Sequence, residues 1–308
     1  MAEILLKALS FILIIALGYI LKHKGFFAPQ DPRVVSNIVL NITFPAAIIN
    51  SFAAIKLELS LFSIILIGLL CNILMFGLGY LLARRKDEKT QALFMLNVAG
   101  FNIGMFTIPF IQNFLGIFGV AITSLFDIGN AIMVTGGGLA LVAVVLKRKE
   151  AASVGATLRI LRSSMPFVTY MLMLLLSVLQ VKIPSVVTAV TGPIGAANPF
   201  LAMLMVGLLL EIRADRERLN NAAKIITARL VGAVVLAAVI FYLLPFSFEV
   251  RRVLVLVVFS PLSGIAPMMT QRSGADSGVS SLVASITVII SMVIMTGLLM
   301  FLGTGTPA

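Results

Sequence analysis

Residues 101–109 read FNIGMFTIP and lie in the middle of an apolar stretch. An amide (Asn102), a flexible residue (Gly104), a hydroxyl (Thr107) and a helix breaker (Pro109) occur within these nine positions. Proline removes one backbone hydrogen bond, and its ring clashes with the preceding turn. The stretch therefore predicts a helix that is interrupted in the middle of an apolar segment.

The composition places these apolar segments in a membrane. Hydrophobic residues make up 60 % of the chain and charged residues 11 %, whereas soluble domains carry about 25 % charged residues. Apolar runs of about 20 residues are typical of transmembrane helices. We therefore predict an all-α integral membrane protein with ten spans, near residues 4–21, 34–55, 60–83, 90–115, 118–146, 166–181, 186–211, 224–244, 251–271 and 277–302.

The basic residues lie mostly on one side of these spans. Of the 23 lysines and arginines, 18 fall in connections after odd-numbered spans, and Arg229 and Arg272 are counted among them. Cytoplasmic loops are enriched in such residues, so we expect both termini to be extracytoplasmic. The net charge of +11 then sets topology and could contact membrane lipid. No loop has the length, aromatic residues and basic stripe that would indicate a nucleic-acid partner.

The prolines indicate an internal repeat. Ten spans divide into two sets of five, which enter the membrane in opposite orientations. Pro45 and Pro199 lie inside the second and seventh spans, and Pro109 and Pro267 follow them after 64 and 68 residues. Matched breaks in inverted halves are typical of transporters with a site at the bilayer midplane. A half-helix that starts at a break presents a positive end, so two such ends predict a site for an anion.

Three motifs carry a family resemblance. FNIGMFTIP resembles the Asn-x-Gly…Pro segment of the auxin efflux carrier family, which includes bacterial malate and malonate permeases and plant PIN-type carriers. The stretches SGIAPMMTQRSGADSGVSS (263–281) and VLNITFPAAII (39–49) are similar to other segments of that family. The short 147–165 connection resembles that of bacterial members, in which the long central loop of the plant proteins is missing.

The resemblance implies an architecture and a function. Helices 4 and 9 would unwind and cross, and the two inverted repeats would be residues 1–147 and 148–308. Residues 1–55 and 166–211 would form a scaffold that makes a homodimer, and residues 60–146 and 224–302 a transport domain that moves as an elevator. The protein would carry a small organic anion such as a carboxylate across a bacterial-type inner membrane, without a cofactor.

Four residues of the first break are candidates for substrate binding: Asn102, Gly104, Thr107 and Pro109. The amide of Asn102 and the hydroxyl of Thr107 could contact the substrate, or they could satisfy the backbone groups that Pro109 frees. Gly104 could instead pair with Gly100 to let a neighbouring helix approach closely.

Four further candidates belong to the second break: Ser260, Ser263, Pro267 and Arg272. The helix could unwind at Pro261 or at Pro267, because the Ser260-Pro261 pair also reads as a helix start. Arg272 could attract an anionic substrate from the cytoplasm, as the resemblance implies, or could anchor the topology. Asp276 could pair with Arg272 or cap the last helix.

One acidic residue, Asp127, lies well inside a predicted span. A carboxylate at such depth is costly and indicates function. It could take up a proton during transport, or it could pair with a helix end or with Asn130. We therefore treat Asp127 and Asn130 as candidates for proton coupling.

Several other classes are disfavoured. An intramembrane enzyme needs a nucleophile–base pair or a metal cluster, and the spans offer neither, so we expect no catalytic residues and no metal. Cys71 is the single cysteine and cannot form an intrachain disulfide. Two alternatives remain open: a passive anion channel, and a sodium-coupled carrier of the bile-acid symporter type, which would need more acidic and amide ligands than we find.

Overall fold

The computed structural model describes residues 2–28, 31–55, 58–148, 154–210 and 216–303. Within these ranges every regular element is helical, apart from one isolated β-bridge. The α-helices are α1 (Ala2–His23), α2 (Asp31–Ile38), α3 (Phe44–Ala54), α4 (Ser63–Ala83), α5 (Glu88–Val98), α6 (Ile108–Ile132), α7 (Gly138–Val145), α8 (Val154–Ser163), α9 (Met165–Val178), α10 (Ser185–Ala196), α11 (Asn198–Leu209), α12 (Arg216–Leu243), α13 (Phe248–Val258), α14 (Ala266–Arg272) and α15 (Ser277–Leu302). Short π-helices cover Val39–Thr43, Ile103–Thr107 and Met133–Gly137, and a 3-10 helix covers Leu59–Phe62.

Seven helical segments of the described chain are long and apolar enough to cross a membrane. An eighth is obtained if α8 and α9, which meet at an angle of 81°, count as one bent span. The protein is therefore an all-helical integral membrane protein. Ten spans were expected, and the described chain shows seven or eight, because the predicted fourth span is divided between the short helix α5 and the start of a longer segment, Ile103–Val145. The predicted ninth span is divided into the short helices α13 and α14.

The longest of the seven segments, Ile103–Val145, contains 43 residues. A straight helix of that length would extend about 65 Å, more than twice the roughly 30 Å of a hydrocarbon core. Gly116 interrupts it with φ +63° and ψ −157°, and this backbone conformation is accessible mainly to glycine. The segment therefore turns at Gly116, between the fourth and fifth predicted spans.

The four prolines that indicated the repeat each stand in the first turn of a helix. Pro45 is the second residue of α3, Pro109 of α6, Pro199 of α11 and Pro267 of α14. Proline is tolerated at this position because the first helical amides have no acceptor within the helix. The second and seventh spans continue through their prolines with at most one intervening residue, whereas the fourth and ninth are interrupted more widely.

Glycines allow two sets of helices to pack closely. A Cβ atom at Gly18 of α1 would lie 3.2 Å from the Cα of Gly207 in α11, and one at Gly129 of α6 would lie 3.2 Å from the carbonyl carbon of Gly68 in α4. Such contacts bring the backbones themselves together. One tight pair lies inside the predicted scaffold, and the other lies inside the predicted transport domain.

Candidate functional site

The first break separates α5 from the helix that contains Pro109. Helix α5 ends at Val98, and Ala99 is extended, with φ −80° and ψ 178°. Gly100 has φ +78°, a left-handed conformation that side chains disfavour. The chain becomes helical again at Ile103, immediately after Asn102. The predicted interruption is therefore confirmed, and its centre is Gly100 rather than the proline.

The second break separates α13 from α14. Helix α13 ends at Val258, and the chain returns to a helix at Ala266, with Pro267 in the first turn. The intervening residues include Pro261, Leu262 and Gly264. The sequence allowed unwinding at either proline. In the structure Pro261 lies inside the break, and Pro267 starts the helix that follows it.

The two breaks meet. Phe101 and Leu262 form an antiparallel β-bridge, and the Asn102 amide N–H donates to the carbonyl of Pro261 over 2.9 Å. The hydroxyls of Thr107 and Ser260 are 2.6 Å apart. Residues some 160 positions apart in the chain therefore share backbone hydrogen bonds. These bonds satisfy N–H and carbonyl groups that would have no partner in the hydrocarbon of a membrane.

Two asparagine side chains form hydrogen bonds with the free backbone groups of the first break. The Asn130 amide oxygen accepts from the Phe101 N–H over 3.1 Å, and its nitrogen donates to the Phe101 carbonyl over 3.0 Å. The Asn72 amide oxygen accepts from the Gly100 N–H over 3.0 Å, and Asn72 also donates to Asn130 over 3.2 Å. Both side chains are fully buried. Asn130 therefore bonds Phe101 as a neighbouring strand would.

Hydroxyls and a third asparagine support the second break. Thr287 in α15 accepts from the Leu262 N–H over 3.0 Å. Asn97 in α5 donates to the Thr270 hydroxyl over 2.9 Å and accepts a hydrogen bond from Ser280. These bonds join α5, α14 and α15 around the meeting point of the two breaks.

An arginine that was expected among the cytoplasmic loop charges, Arg229, lies at this same place. Arg229 is 5 % exposed and stands near the middle of α12. The expectation that it is a topology charge was wrong. Its position offered a signal, because Arg229 shares a helical stripe with the buried residues Ile225, Ile226 and Ala233, and a charge on an apolar stripe is unusual.

A cavity of about 210 Å³ opens beside the meeting point. Asn102, Gly264 and Pro267 line it from the two breaks, together with Ser281 of α15 and Met205 of α11. The Asn102 side chain is 8 % exposed. Within the described ranges its amide has no hydrogen-bond partner, so it can bind a solute without breaking an existing bond.

Comparison with known proteins identifies the family. Residues 4–159 match a family model described as "Membrane transport protein", the model of the auxin efflux carriers. The chain belongs to the auxin efflux carrier family. It is a membrane transporter and not an enzyme. An uncharacterized transporter of Methanothermobacter thermautotrophicus is 28 % identical over 295 residues, which cover 92 % of this carrier and 94 % of that protein.

Asp127 of the carrier accepts two hydrogen bonds. The Asn130 amide donates to one carboxylate oxygen over 2.8 Å, and the Tyr170 hydroxyl donates to the other over 2.8 Å. Asp127 is 8 % exposed, and no ion pair of the described residues includes it. Of the pairings considered from the sequence, the structure contains the one with Asn130. Tyr170 was missed because the contact joins two distant spans.

The other candidates occupy different positions. Thr107 donates to the Asn102 carbonyl over 3.0 Å, so it does satisfy backbone freed by the break. Ser263 lines a separate cavity of about 30 Å³. A Cβ atom at Gly104 would lie 2.7 Å from the Phe44 ring, so close packing explains this glycine. Of the first-break candidates, Asn102 alone lines the larger cavity.

Arg272 is exposed at the end of α14 and is not among the residues that line this cavity. Asp276 caps α15, where its carboxylate accepts from the Gly278 N–H over 2.8 Å. Its ion-pair partner is Arg218, at 3.0 Å. Of the two roles considered for Asp276 from the sequence, the described residues show the cap and not the pairing with Arg272.

Proposed function

We propose that this carrier transports a small organic anion, such as a carboxylate, and binds it in the cavity beside Asn102. The observation that carries the proposal is the position of the Asn102 amide, which lines the cavity where two broken helices meet and has no hydrogen-bond partner within the described ranges. Such an amide can donate a hydrogen bond to a bound carboxylate. Among the described residues that line the cavity there is no acidic side chain, which favours an anion over a cation.

The helix that follows Asn102 adds to this preference. Its first residues, from Ile103 onwards, leave backbone N–H groups without helical acceptors, and its end carries positive partial charge. Helix α14 has only seven residues, so the positive partial charge at its N-terminus contributes less to anion binding. Under this proposal the carrier has ten spans in two inverted halves, because the pieces α5 and Ile103–Leu115 form the fourth span and α13 and α14 form the ninth.

We propose further that two groups of helices move relative to each other, as in an elevator. Residues 1–55 and 166–211 would form the static scaffold, and residues 60–146 and 224–302 would move. Backbone contacts at glycine pairs are found inside each group. A cavity of about 500 Å³, lined by Ala47, Gln112 and Gly195, lies between the groups. The Gln112 amide reaches the Gly195 carbonyl over 2.9 Å.

The Asp127–Tyr170 contact joins the same two groups, so it would have to change as the groups move. We propose that Asp127, supported by Asn130, couples transport to a proton, because a carboxylate is costly at membrane depth unless it is neutralised or paired. Asp127→Asn keeps the shape and removes the titratable group. If the proposal holds, uptake by this variant loses its response to a pH gradient. A retained response would exclude the role.

Uptake into proteoliposomes tests the function. A panel of malonate, malate, acetate and an uncharged amide analogue would be measured with and without pH and sodium gradients. We expect saturable uptake and counterflow for at least one carboxylate. Uptake of the amide alone would contradict the proposal, non-saturable flux without counterflow would indicate a channel, and a strict sodium requirement would indicate a symporter of the bile-acid type.

Two parts of the proposal concern assembly and location. We propose that the scaffold helices form a homodimer in a bacterial-type inner membrane with both termini outside. Mass photometry of the purified carrier in nanodiscs would report the mass, and a monomer at all concentrations would exclude the dimer. Protease protection of tags at each terminus in right-side-out vesicles would report the orientation.

A further inference from the structure

The guanidinium of Arg229 is bonded to both broken helices. It donates to the carbonyls of Asn97, Val98 and Ala99 in the first, over 3.3, 2.9 and 2.9 Å, and to the carbonyl of Ser260 in the second, over 3.1 Å. Within the described chain no carboxylate forms an ion pair with it. Among the described residues, the charge of Arg229 is therefore balanced by backbone carbonyls and by the Phe101 ring, whose centroid lies 5.8 Å from the guanidinium carbon.

Three of these carbonyls lie at the C-terminus of α5, and that of Ser260 follows the C-terminus of α13 by two residues. Helices α5 and α13 have 11 residues each, and the C-terminal end of a helix carries roughly half a negative charge. A guanidinium stays protonated in proteins and offers five donors in a rigid fork. Arg229 can therefore neutralise both negative ends at once, which a lysine ammonium would do with fewer hydrogen bonds.

The location of this charge has a consequence for the cavity. The carbonyl of Ser260 is one residue from Pro261, whose carbonyl bonds the Asn102 N–H. Without the guanidinium, a solute beside Asn102 would face two uncompensated helix C-termini. With it, the positive end of the helix that starts at Ile103 remains as the uncancelled partial charge.

We propose that Arg229 determines the charge specificity of the crossover cavity, so that the cavity accepts a small anion and disfavours a cation. The identity of the transported anion rests on the proposed function above, but the electrostatic part can be measured without any transported solute. At roughly 10 Å and an effective dielectric constant of about 20, removal of one charge changes the local concentration of a monovalent ion by about tenfold.

Charge-selective thiol labelling tests this inference. Ser281→Cys places a thiol in the cavity wall, in a background where the buried Cys71 is replaced by alanine. In nanodiscs, the rate constants for an anionic (sulfonatoethyl) and a cationic (trimethylammoniumethyl) methanethiosulfonate are measured, and their ratio is taken. We expect Arg229→Gln to lower the anion-to-cation ratio at least tenfold, and Arg229→Lys to keep it within about twofold.

A control thiol keeps the test decisive. Thr188 belongs to the predicted scaffold and lines the cavity of about 500 Å³, so the anion-to-cation ratio at Thr188→Cys should not respond to Arg229→Gln. If Arg229→Gln does not fold, the two thiols are compared with Arg229 intact. The anion-to-cation ratio should then be higher at Ser281→Cys than at Thr188→Cys. An equal ratio at the two sites, or no change in folded Arg229→Gln, overturns the inference.

The labelling result and the uptake result fail separately. Suppose that Arg229→Gln lowers the anion-to-cation labelling ratio but the unaltered carrier takes up no carboxylate. This result would support the role of Arg229 and reject the organic-anion function. Carboxylate uptake with an unchanged ratio would support the function and reject the role of Arg229.

Discussion

Removal of the Asn130 side chain is the perturbation whose cost can be worked most fully from the structure. In Asn130→Ala the Phe101 N–H and carbonyl both lose their partner, and Phe101 is 1 % exposed. An unsatisfied buried polar group costs about 1 to 3 kcal/mol, so we expect a loss of about 2 to 6 kcal/mol. At roughly 2 °C per kcal/mol for a chain of this size, Tm would fall about 4 to 12 °C.

The single cysteine supplies the assay. Cys71 is buried, so a thiol-reactive fluorophore reports its exposure as the detergent-solubilised carrier is heated. Asn41→Ala is the matched control, because Asn41 is exposed and its side chain bonds, among the described residues, only the Asn37 carbonyl one turn away. That variant should shift Tm by less than about 2 °C. Equal Tm values for the Asn130 and Asn41 variants would refute the reasoning.

Two further predictions are read as Tm differences by circular dichroism, because a thiol loses its reactive thiolate form at the low pH that the first of them requires. Asp87 caps α5, and the hydrogen bond from the Thr90 hydroxyl is the main cause that lowers the pKa of its carboxyl. Asp87→Ala should cost about 1 kcal/mol at neutral pH, and since the ionised form stabilises the fold, the Tm difference should shrink as pH falls below about 4; a constant difference would exclude the cap. Gly68→Ala brings a Cβ into collision with the Phe126 carbonyl oxygen, whereas Gly77→Ala in the same helix meets nothing within 4 Å. The first should cost about 1 to 3 kcal/mol and the second none, and similar Tm values for both would contradict the packing.

The fold and part of the site could be predicted from local features. Proline and glycine restrict or free the backbone where they stand, so Pro109, Pro267 and Gly264 mark the interrupted spans in the sequence itself. Asn102 stands out because an amide in an apolar run needs a partner. These residues act within a few positions of themselves, which is what a single sequence can show.

The contacts that hold the two breaks together could not be predicted in this way. The pairing of Asn130 with Phe101 and of Thr107 with Ser260 joins residues 29 and 153 positions apart, and their spacing carries no periodic signal. Arg229 was assigned by its proximity to a basic loop, although its helical stripe is apolar. Hydrophobic periodicity places Arg229 inside the span. For this residue, periodicity predicts the location better than its closeness to the basic loop does.

The central claim is that the carrier binds its solute at Asn102, and uptake kinetics of Asn102→Ala test it most directly. The side chain makes no hydrogen bond within the described ranges, so Tm should stay within about 2 °C of the unaltered protein. A lost hydrogen bond to a charged group is worth about 1.5 to 3 kcal/mol, so KM for the transported carboxylate should rise about 10- to 100-fold. Unchanged KM and maximal rate in the folded variant would contradict the account.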